Sequence, residues 1–180
     1  MLGSKWHGGV RVLGVSGNIR RRRDSLRYPG SNYAQSGAVF VTLCTQIRQH
    51  FFGEIEDGQI VLSLAGHVAV ECWQSIPNRF PIVDTDAFVV MPDHLHGILF
   101  TEVTNDEAPL TTAGGIIRWF RASVHAAFVR GVRDSQLPPY DGRVWQRNFD
   151  DEIIRSEEHL TRLQRYIEVD PGRWWERSET

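Results

Sequence analysis

The sequence has little that would mark the protein as secreted, membrane-bound or cross-linked. Only two of its 180 residues are cysteines, Cys44 and Cys72, which lie far apart in apolar surroundings. They indicate small buried thiols in a reducing compartment, not a disulfide framework or a zinc knuckle. No apolar run approaches the ~20 residues that a bilayer span needs, and residues 1–7 lack the apolar core of a secretory signal. We therefore expect a cytoplasmic protein with no membrane partner.

A large net charge is also missing, since the formal value is −2, and bulk charge gives no evidence for a nucleic-acid partner. The charge is unevenly distributed, however. Residues 1–33 contain seven basic residues and one acidic residue, and four of the arginines are consecutive, Arg20 to Arg23. We predict a basic, mostly irregular arm over residues 1–36 and a single domain over residues 37–175. Such an arm suits a polyanionic partner, although its arginines could simply be solvated.

The hydrophobic periodicity predicts an α+β fold. Strands are expected at residues 38–45, 80–91 and 94–101, with short extended pieces at 144–146 and 153–155 and a loop or hairpin at 46–58. Helices are expected at residues 62–76, ended by Pro77, at 116–130, and from Ser156 to about Val169, ended by Pro171-Gly172. This order favours a ferredoxin-like antiparallel sheet with helices packed on it.

Two histidines begin the strand predicted at residues 94–101. Because His94 and His96 are two positions apart, their side chains point to the same face of an extended strand. Two adjacent imidazoles can ligate one metal ion and leave room for a third protein ligand and a substrate oxygen. Hydrogen-bonded core or surface histidines are the alternative. The pair lies between two hydrophobic runs, which favours a place within a sheet, but the residues alone leave both interpretations open.

The last predicted helix carries a second polar group. At 100° per residue, His159, Tyr166 and Asp170 fall beside an apolar stripe. Tyr166 can offer a phenol oxygen as nucleophile or proton donor, and Asp170 can offer a carboxylate on the same side. The spacing is equally typical of a tyrosine that packs at the edge of a core.

Three blocks of the sequence together resemble the HUH single-strand DNA endonucleases. The branch they resemble is the REP-associated tyrosine transposases, which are relatives of the single-strand insertion-sequence transposases. The blocks are residues 37–45 (GAVFVTLCT), residues 90–97 (VMPDHLHG), and residues 144–149 and 153–158 (VWQRNF, IIRSEE) followed by 166–171 (YIEVDP). The likeness runs in order from about residue 28 to residue 174. A His-x-His motif alone is weak, whereas the three blocks together are fairly specific.

The resemblance implies a site and a mechanism. His94 and His96 would hold a divalent ion, Mg²⁺ or Mn²⁺. Asp170 occupies the position of a third polar ligand, where an amide is common. Tyr166 matches the catalytic tyrosine, which would attack single-stranded DNA to give a 5′-phosphotyrosine link and a free 3′-hydroxyl. The implied protein is an HUH-type transposase that cleaves and rejoins single-stranded DNA at hairpin-forming sites, with one such domain over residues 37–175.

The implied partner is single-stranded or hairpin DNA. The arginines expected to contact it are Arg20, Arg21, Arg22, Arg23, Arg27 and Arg147. Arg147 is equally consistent with a surface arginine stacked on a tryptophan. Two other interpretations stay open. The protein could be a domesticated relative that binds hairpins without cleaving them, or an unrelated metallo-hydrolase. The resemblance allows a monomer or a homodimer, and Tyr166 acting in its own subunit or in the partner.

Overall fold

A computed structural model describes residues 36–102, 112–137, 139–140 and 142–178 of the chain. The predicted basic arm, with Arg20 to Arg23 and Arg27, lies outside the described residues. The strands are β1 (Ser36–Cys44), β2 (Gly53–Glu56), β3 (Gln59–Leu62), β4 (Val83–Val90), β5 (His94–Glu102) and β6 (Asp150–Ile153). The helices are α1 (Leu64–Gln74), α2 (Ile76–Arg79), α3 (Ala113–Arg133) and α4 (Glu157–Ser178). None of the helices in these ranges combines the length and apolarity that crossing a membrane requires.

The main sheet has four strands in the order β4-β5-β1-β6, and all neighbouring pairs are antiparallel. With α1 between β1 and β4, and α3 between β5 and β6, the chain follows the β-α-β-β-α-β order of a ferredoxin-like fold. The predicted fold class is therefore confirmed. A separate hairpin, β2-β3, lies in the segment predicted as a loop or hairpin and extends to Leu62.

The alternation of side chains along β1 creates two cores, one on each face of the sheet. Val39, Val41 and Leu43 point to one face, where they join the larger core with apolar residues of α1 and α3. Ala38 and Phe40 point to the other face and form a smaller core with residues of β4, β5 and α4. Helix α4 therefore covers the face of the sheet opposite to α1 and α3.

Helix α4 is longer than the sequence predicts. Its start is as expected, because the Ser156 hydroxyl accepts a hydrogen bond from the backbone of His159 at 3.1 Å. The predicted end near Val169 is wrong, because the helix continues through Pro171 to Ser178. Proline in a helix costs about 3 kcal/mol, but here Pro171 is buried and Trp174 in the next turn packs against the smaller core. The apolar contacts of these two side chains oppose the cost of the lost backbone bond.

A second proline also differs from expectation. Pro77 does not simply end the helix predicted at residues 62–76, because α1 stops at Gln74 and Pro77 lies inside the four-residue helix α2. Its position in the first turn of α2 is one where the missing N–H needs no partner.

Gly97 provides a test of the packing beneath the histidine strand. A Cβ atom added at Gly97 would lie 2.3 Å from Cζ2 of Trp73, which is fully buried. We expect Gly97→Ala to lower the free energy of unfolding by about 1–3 kcal/mol through overpacking. Gly172→Ala is the control, since nothing lies within 4 Å of its added Cβ in α4, and alanine favours a helix by about 1 kcal/mol. Urea unfolding curves measure both, and equal stabilities for the two variants would contradict this packing.

Candidate metal centre and tyrosine

The two histidines at the start of β5 face helix α4. His94 and His96 are each 6% exposed, so both imidazoles are removed from bulk solvent. Their ring centroids are 4.6 Å apart with the rings nearly perpendicular, at 76°. The strand therefore places two imidazoles side by side on one face, as their spacing predicts.

Asp170 approaches the same point from helix α4. It lies three residues after Ile167, which packs in the smaller core, so the helix presents Asp170 towards β5. Its Oδ2 atom is 3.4 Å from Nε2 of His94 and 3.8 Å from Nε2 of His96. The residue is only 2% exposed, and among the described residues no donor makes a hydrogen bond to this oxygen. A buried carboxylate oxygen without a donor is costly, which indicates a site completed by a cation.

These three residues fit a divalent metal ion. One ligand atom from each of His94, His96 and Asp170 lies within 4.8 Å of the others. Two imidazole nitrogens and a carboxylate form a mixed donor set with open positions, and such sets bind divalent first-row ions. Among the described residues, no other group of three histidine, cysteine or acidic side chains has this geometry.

Each histidine is oriented by a partner that sequence reasoning missed. Nδ1 of His94 donates to Oδ1 of Asp93 at 2.6 Å, and Nδ1 of His96 lies 2.9 Å from the hydroxyl of Thr42. When both Nδ1 atoms carry the proton, both Nε2 lone pairs face Asp170, as metal ligation requires. Asp93 directly precedes His94, which was an available signal. Thr42 lies opposite His96 in the β1-β5 register, which only the sheet pairing reveals.

Burial and the neighbouring charges shift the pKa values of His94 and His96 in opposite directions. Burial alone would lower the pKa of His94, but the carboxylates of Asp170 and Asp93 outweigh it and raise that pKa. Burial, together with the neighbouring His94, lowers the pKa of His96 to about 4, so this imidazole is neutral at physiological pH. Burial would raise the pKa of Asp93, but the hydrogen bond from His94 and the charge of Arg48 hold it below its ordinary value. Asp93 is thus an ionised acceptor.

The Asp93 contact leads to a test by substitution. We expect Asp93→Ala to weaken Mn²⁺ binding by about 10- to 100-fold, because the acceptor that fixes the His94 ring is lost. Asp93→Asn is the matched control, since its amide oxygen can still accept from Nδ1, and it should bind Mn²⁺ more tightly than the alanine variant. Titration calorimetry measures both, with circular dichroism to confirm folding. Equal affinities for the two variants would contradict an orienting role.

Tyr166 lies beside the histidine pair in the same chain. The centroid of its ring is 5.3 Å from that of His96 at an angle of 71°, and 6.2 Å from that of Phe40 at 78°. The side chain is half-buried, and burial, reinforced by the charge of Asp170, raises the pKa of the phenol. The hydroxyl is therefore protonated at neutral pH. The structure brings Tyr166 and Asp170 of α4 together with His94 and His96, although the two pairs are about 70 residues apart in sequence.

Two further residues of α4, Trp174 and His159, make contacts that the sequence pattern does not predict. The Trp174 ring lies 5.6 Å from that of His94 and packs beside it at an angle of 33°. Sequence reasoning missed Trp174 because it ended the helix too early. His159, which the helical wheel groups with Tyr166, instead lies 2.9 Å from a carboxylate oxygen of Glu152 on β6.

Arg147 lies away from this centre. It is exposed and lines a cavity between α3 and the segment before β6, on the face of the sheet opposite to α4. The structure therefore does not bring Arg147 together with the histidines and Tyr166. Its predicted contact with DNA stays a prediction, as do those of the five arginines outside the described residues.

Comparison with known proteins supplies a family and a fold. No protein-family model matches the chain. An uncharacterized protein of Haemophilus influenzae is 34% identical over 172 residues, which cover 87% of this chain and 91% of that protein. A solved structure of a REP-associated tyrosine transposase bound to a REP hairpin has a TM-score of 0.52 and 18% identity, over 76% of this chain and 67% of that one. The chain therefore belongs to the same family as the Haemophilus influenzae protein, and its fold is that of the REP-associated tyrosine transposases.

Proposed function

We propose that the protein is a metal-dependent tyrosine transposase that cleaves and rejoins single-stranded DNA at hairpin-forming sites. The observation that carries this proposal is the position of Tyr166 against His96, beside the buried group of His94, His96 and Asp170. A phenol next to three converging side chains that can ligate a metal ion is suited to metal-assisted attack by tyrosine on a phosphodiester. The shared fold with a transposase that is bound to a REP hairpin supports DNA as the substrate.

The ligand residues have defined roles in this proposal. Two Nε2 atoms, from His94 and His96, and one carboxylate oxygen of Asp170 would hold Mg²⁺ or Mn²⁺. When bound, the ion polarises the scissile phosphate and offsets charge in the transition state. Asp93 and Thr42 keep the imidazoles in the orientation that ligation needs. Burial excludes water from competing for the same side chains.

Tyr166 supplies the nucleophile. Its phenol oxygen forms a bond to phosphorus while the bond from phosphorus to the 3′ oxygen of the preceding nucleotide breaks. The phenol gives up its proton, and the departing 3′ oxygen takes up a proton, so the products are a 5′-phosphotyrosine and a 3′-hydroxyl. Because the energy of the broken bond is retained in the new ester, a 3′-hydroxyl can attack it and rejoin the strand. Neither step consumes a cofactor.

The nucleophile and the ligands lie in one chain, so the proposed site needs no partner subunit. The ring of Tyr166 reaches the ring of His96 within the same molecule. We infer that Tyr166 acts in its own subunit, while a homodimer stays a prediction. Mixing two inactive variants, His96→Ala and Tyr166→Phe, tests this: no activity should return, whereas recovery would show a tyrosine acting in the partner.

The chemistry is tested by the polarity of a covalent adduct. The protein is incubated with Mn²⁺ and a hairpin DNA with unpaired flanks, labelled at either its 5′ or its 3′ end. On a denaturing gel, the protein should carry the 3′ label, and the 5′ label should appear on a shortened free strand. EDTA should abolish both products. Binding without any adduct would favour a domesticated hairpin-binding relative, and cleavage without an adduct would favour a metallo-hydrolase.

A further inference from the structure

A cavity of about 520 Å³ lies on the α3 side of the sheet, separate from the metal centre. It is formed by the first turns of α3 and by residues 147–151. Asp151 in its wall pairs in register with Val41, whose side chain joins the core beneath α3. The next pair of that register joins Asp150 to Thr42, the residue that contacts His96. The cavity and the metal centre therefore lie at the same end of the sheet, on opposite faces of β1 and β6.

Arginine side chains dominate the charge of this cavity. Arg118 and Arg147 are exposed, and among the described residues neither forms an ion pair with a carboxylate. Asp151 is the acidic residue in the lining. Gly114, also in the lining, belongs to the first turn of the 21-residue helix α3, whose N-terminus adds positive potential. The cavity therefore favours an anion.

Arg121 holds the cavity in shape. Its Nη1 donates to the carbonyl of Arg147 at 3.1 Å, and its Nη2 donates to the carbonyl of Gln146. A half-buried guanidinium that donates to two successive carbonyls fixes that segment against α3. Arg121 thus fixes the backbone that carries Arg147, and Arg118 and Arg147 are the two guanidinium groups left to meet a ligand.

Phe149 adds an aromatic surface to the same cavity. Its side chain is half-buried and packs against the larger core, which fixes the ring while leaving part of it in the cavity wall. Arginines combined with a fixed aromatic ring are the elements that hold single-stranded nucleic acid, through phosphate contacts and base stacking. A volume of about 520 Å³ suits a small ligand and is too small for a duplex.

We propose that this cavity binds one unpaired nucleotide of a single strand that flanks the hairpin and leads to the metal centre. The phosphate lies between Arg118 and Arg147, and the base stacks on Phe149. The identity of the ligand as DNA rests on the proposed function. Binding at the cavity is measured separately from cleavage, so the two proposals can fail independently.

The test uses the full chain carrying Tyr166→Phe and two fluorescein-labelled DNAs, a hairpin with an unpaired extension at each end and the same hairpin without extensions. Fluorescence anisotropy gives the affinity over a range of salt concentrations. We expect Arg118→Gln with Arg147→Gln to weaken binding of the extended hairpin by about tenfold and to reduce its salt slope by about 0.7, the value for one phosphate on a single strand. Binding of the hairpin without extensions should be unchanged.

The matched control removes two arginines from the other end of the same helix. Arg130→Gln with Arg133→Gln changes the net charge equally, and both arginines are exposed. They lie about 18 Å and about 22 Å along α3 from Arg118. This control should keep full affinity. The proposal would be overturned if both double variants lost affinity equally, or if the Arg118 and Arg147 variant kept full affinity. It would also be overturned if that variant bound both DNAs with equally reduced affinity.

Phe149→Leu tests the base contact. It should weaken binding of the extended hairpin by about tenfold without changing the salt slope, since stacking involves no charge. Removing the base at one position of an extension should cancel the effect of Phe149→Leu, and an effect that no such removal cancels would overturn the stacking assignment. Failure of the proposed function would appear differently, as the absence of a covalent adduct with the otherwise unaltered protein.

Discussion

Replacing Tyr166 by phenylalanine should abolish the covalent DNA adduct while leaving Mn²⁺ and DNA binding intact. The substitution removes the phenol oxygen, which no other atom of the side chain can replace as a nucleophile. The ring remains to pack between Phe40 and His96. We therefore expect adduct formation to fall to background, with a change in the free energy of unfolding below about 1 kcal/mol.

Tyr140→Phe is the control for this variant. The Tyr140 hydroxyl lies 3.1 Å from Nδ1 of His125, and its ring packs on Phe128 of α3, on the other face of the sheet. The Tyr140→Phe substitution also removes a phenol oxygen, but far from the metal centre. Adduct formation should therefore continue at the rate of the unaltered protein. An adduct that survives in the Tyr166 variant would contradict the assignment, as would one lost equally in both.

Removing one of the three ligands should have the second large effect, on metal binding. We expect His96→Ala or Asp170→Ala to weaken Mn²⁺ binding by at least about 100-fold, because changes to mere outer partners already cost 10- to 100-fold. Asp170→Asn keeps an oxygen at the same position and should stay within about tenfold of the unaltered protein. Titration calorimetry measures the affinities directly.

Thermal unfolding gives an independent measure of the same centre. At a Mn²⁺ concentration about 100 times the dissociation constant, the ion should stabilise the protein by about 2.7 kcal/mol, and EDTA should reverse this. The alanine variants should show no such stabilisation. If Asp170→Ala bound Mn²⁺ as tightly as the unaltered protein, the carboxylate would not be a ligand.

The sequence predicts those parts of the site that depend on local geometry. Positions i and i+2 of a strand fix the shared face of His94 and His96, and helical spacing places Tyr166 and Asp170 on one edge of α4. Neither pattern shows that the two pairs meet. That contact depends on α4 packing across β5 on the face opposite to α1 and α3, and only the resemblance anticipated it.

The remaining features depend on long-range packing and could not be predicted from local signals. Thr42 reaches His96 through the register of β1 against β5. Trp174 packs beside His94 because α4 continues through a buried proline, where the local rule predicts an end. One wall of the arginine cavity depends on contacts of Arg121 with the backbone carbonyls of residues 146 and 147, 25 and 26 positions away in sequence. In each case the contact joins residues that are distant in sequence.

The central claim is that the Tyr166 oxygen forms the bond to DNA. The most direct measurement is mass spectrometry of the adduct after nuclease trimming and trypsin digestion. Cleavage after Arg165 and Arg173 isolates Tyr166 in the peptide YIEVDPGR. We predict that this peptide carries the mass of the attached nucleotide, with fragments that place it on the tyrosine. A nucleotide on any other peptide, or an unmodified YIEVDPGR peptide in a purified adduct, would contradict the account.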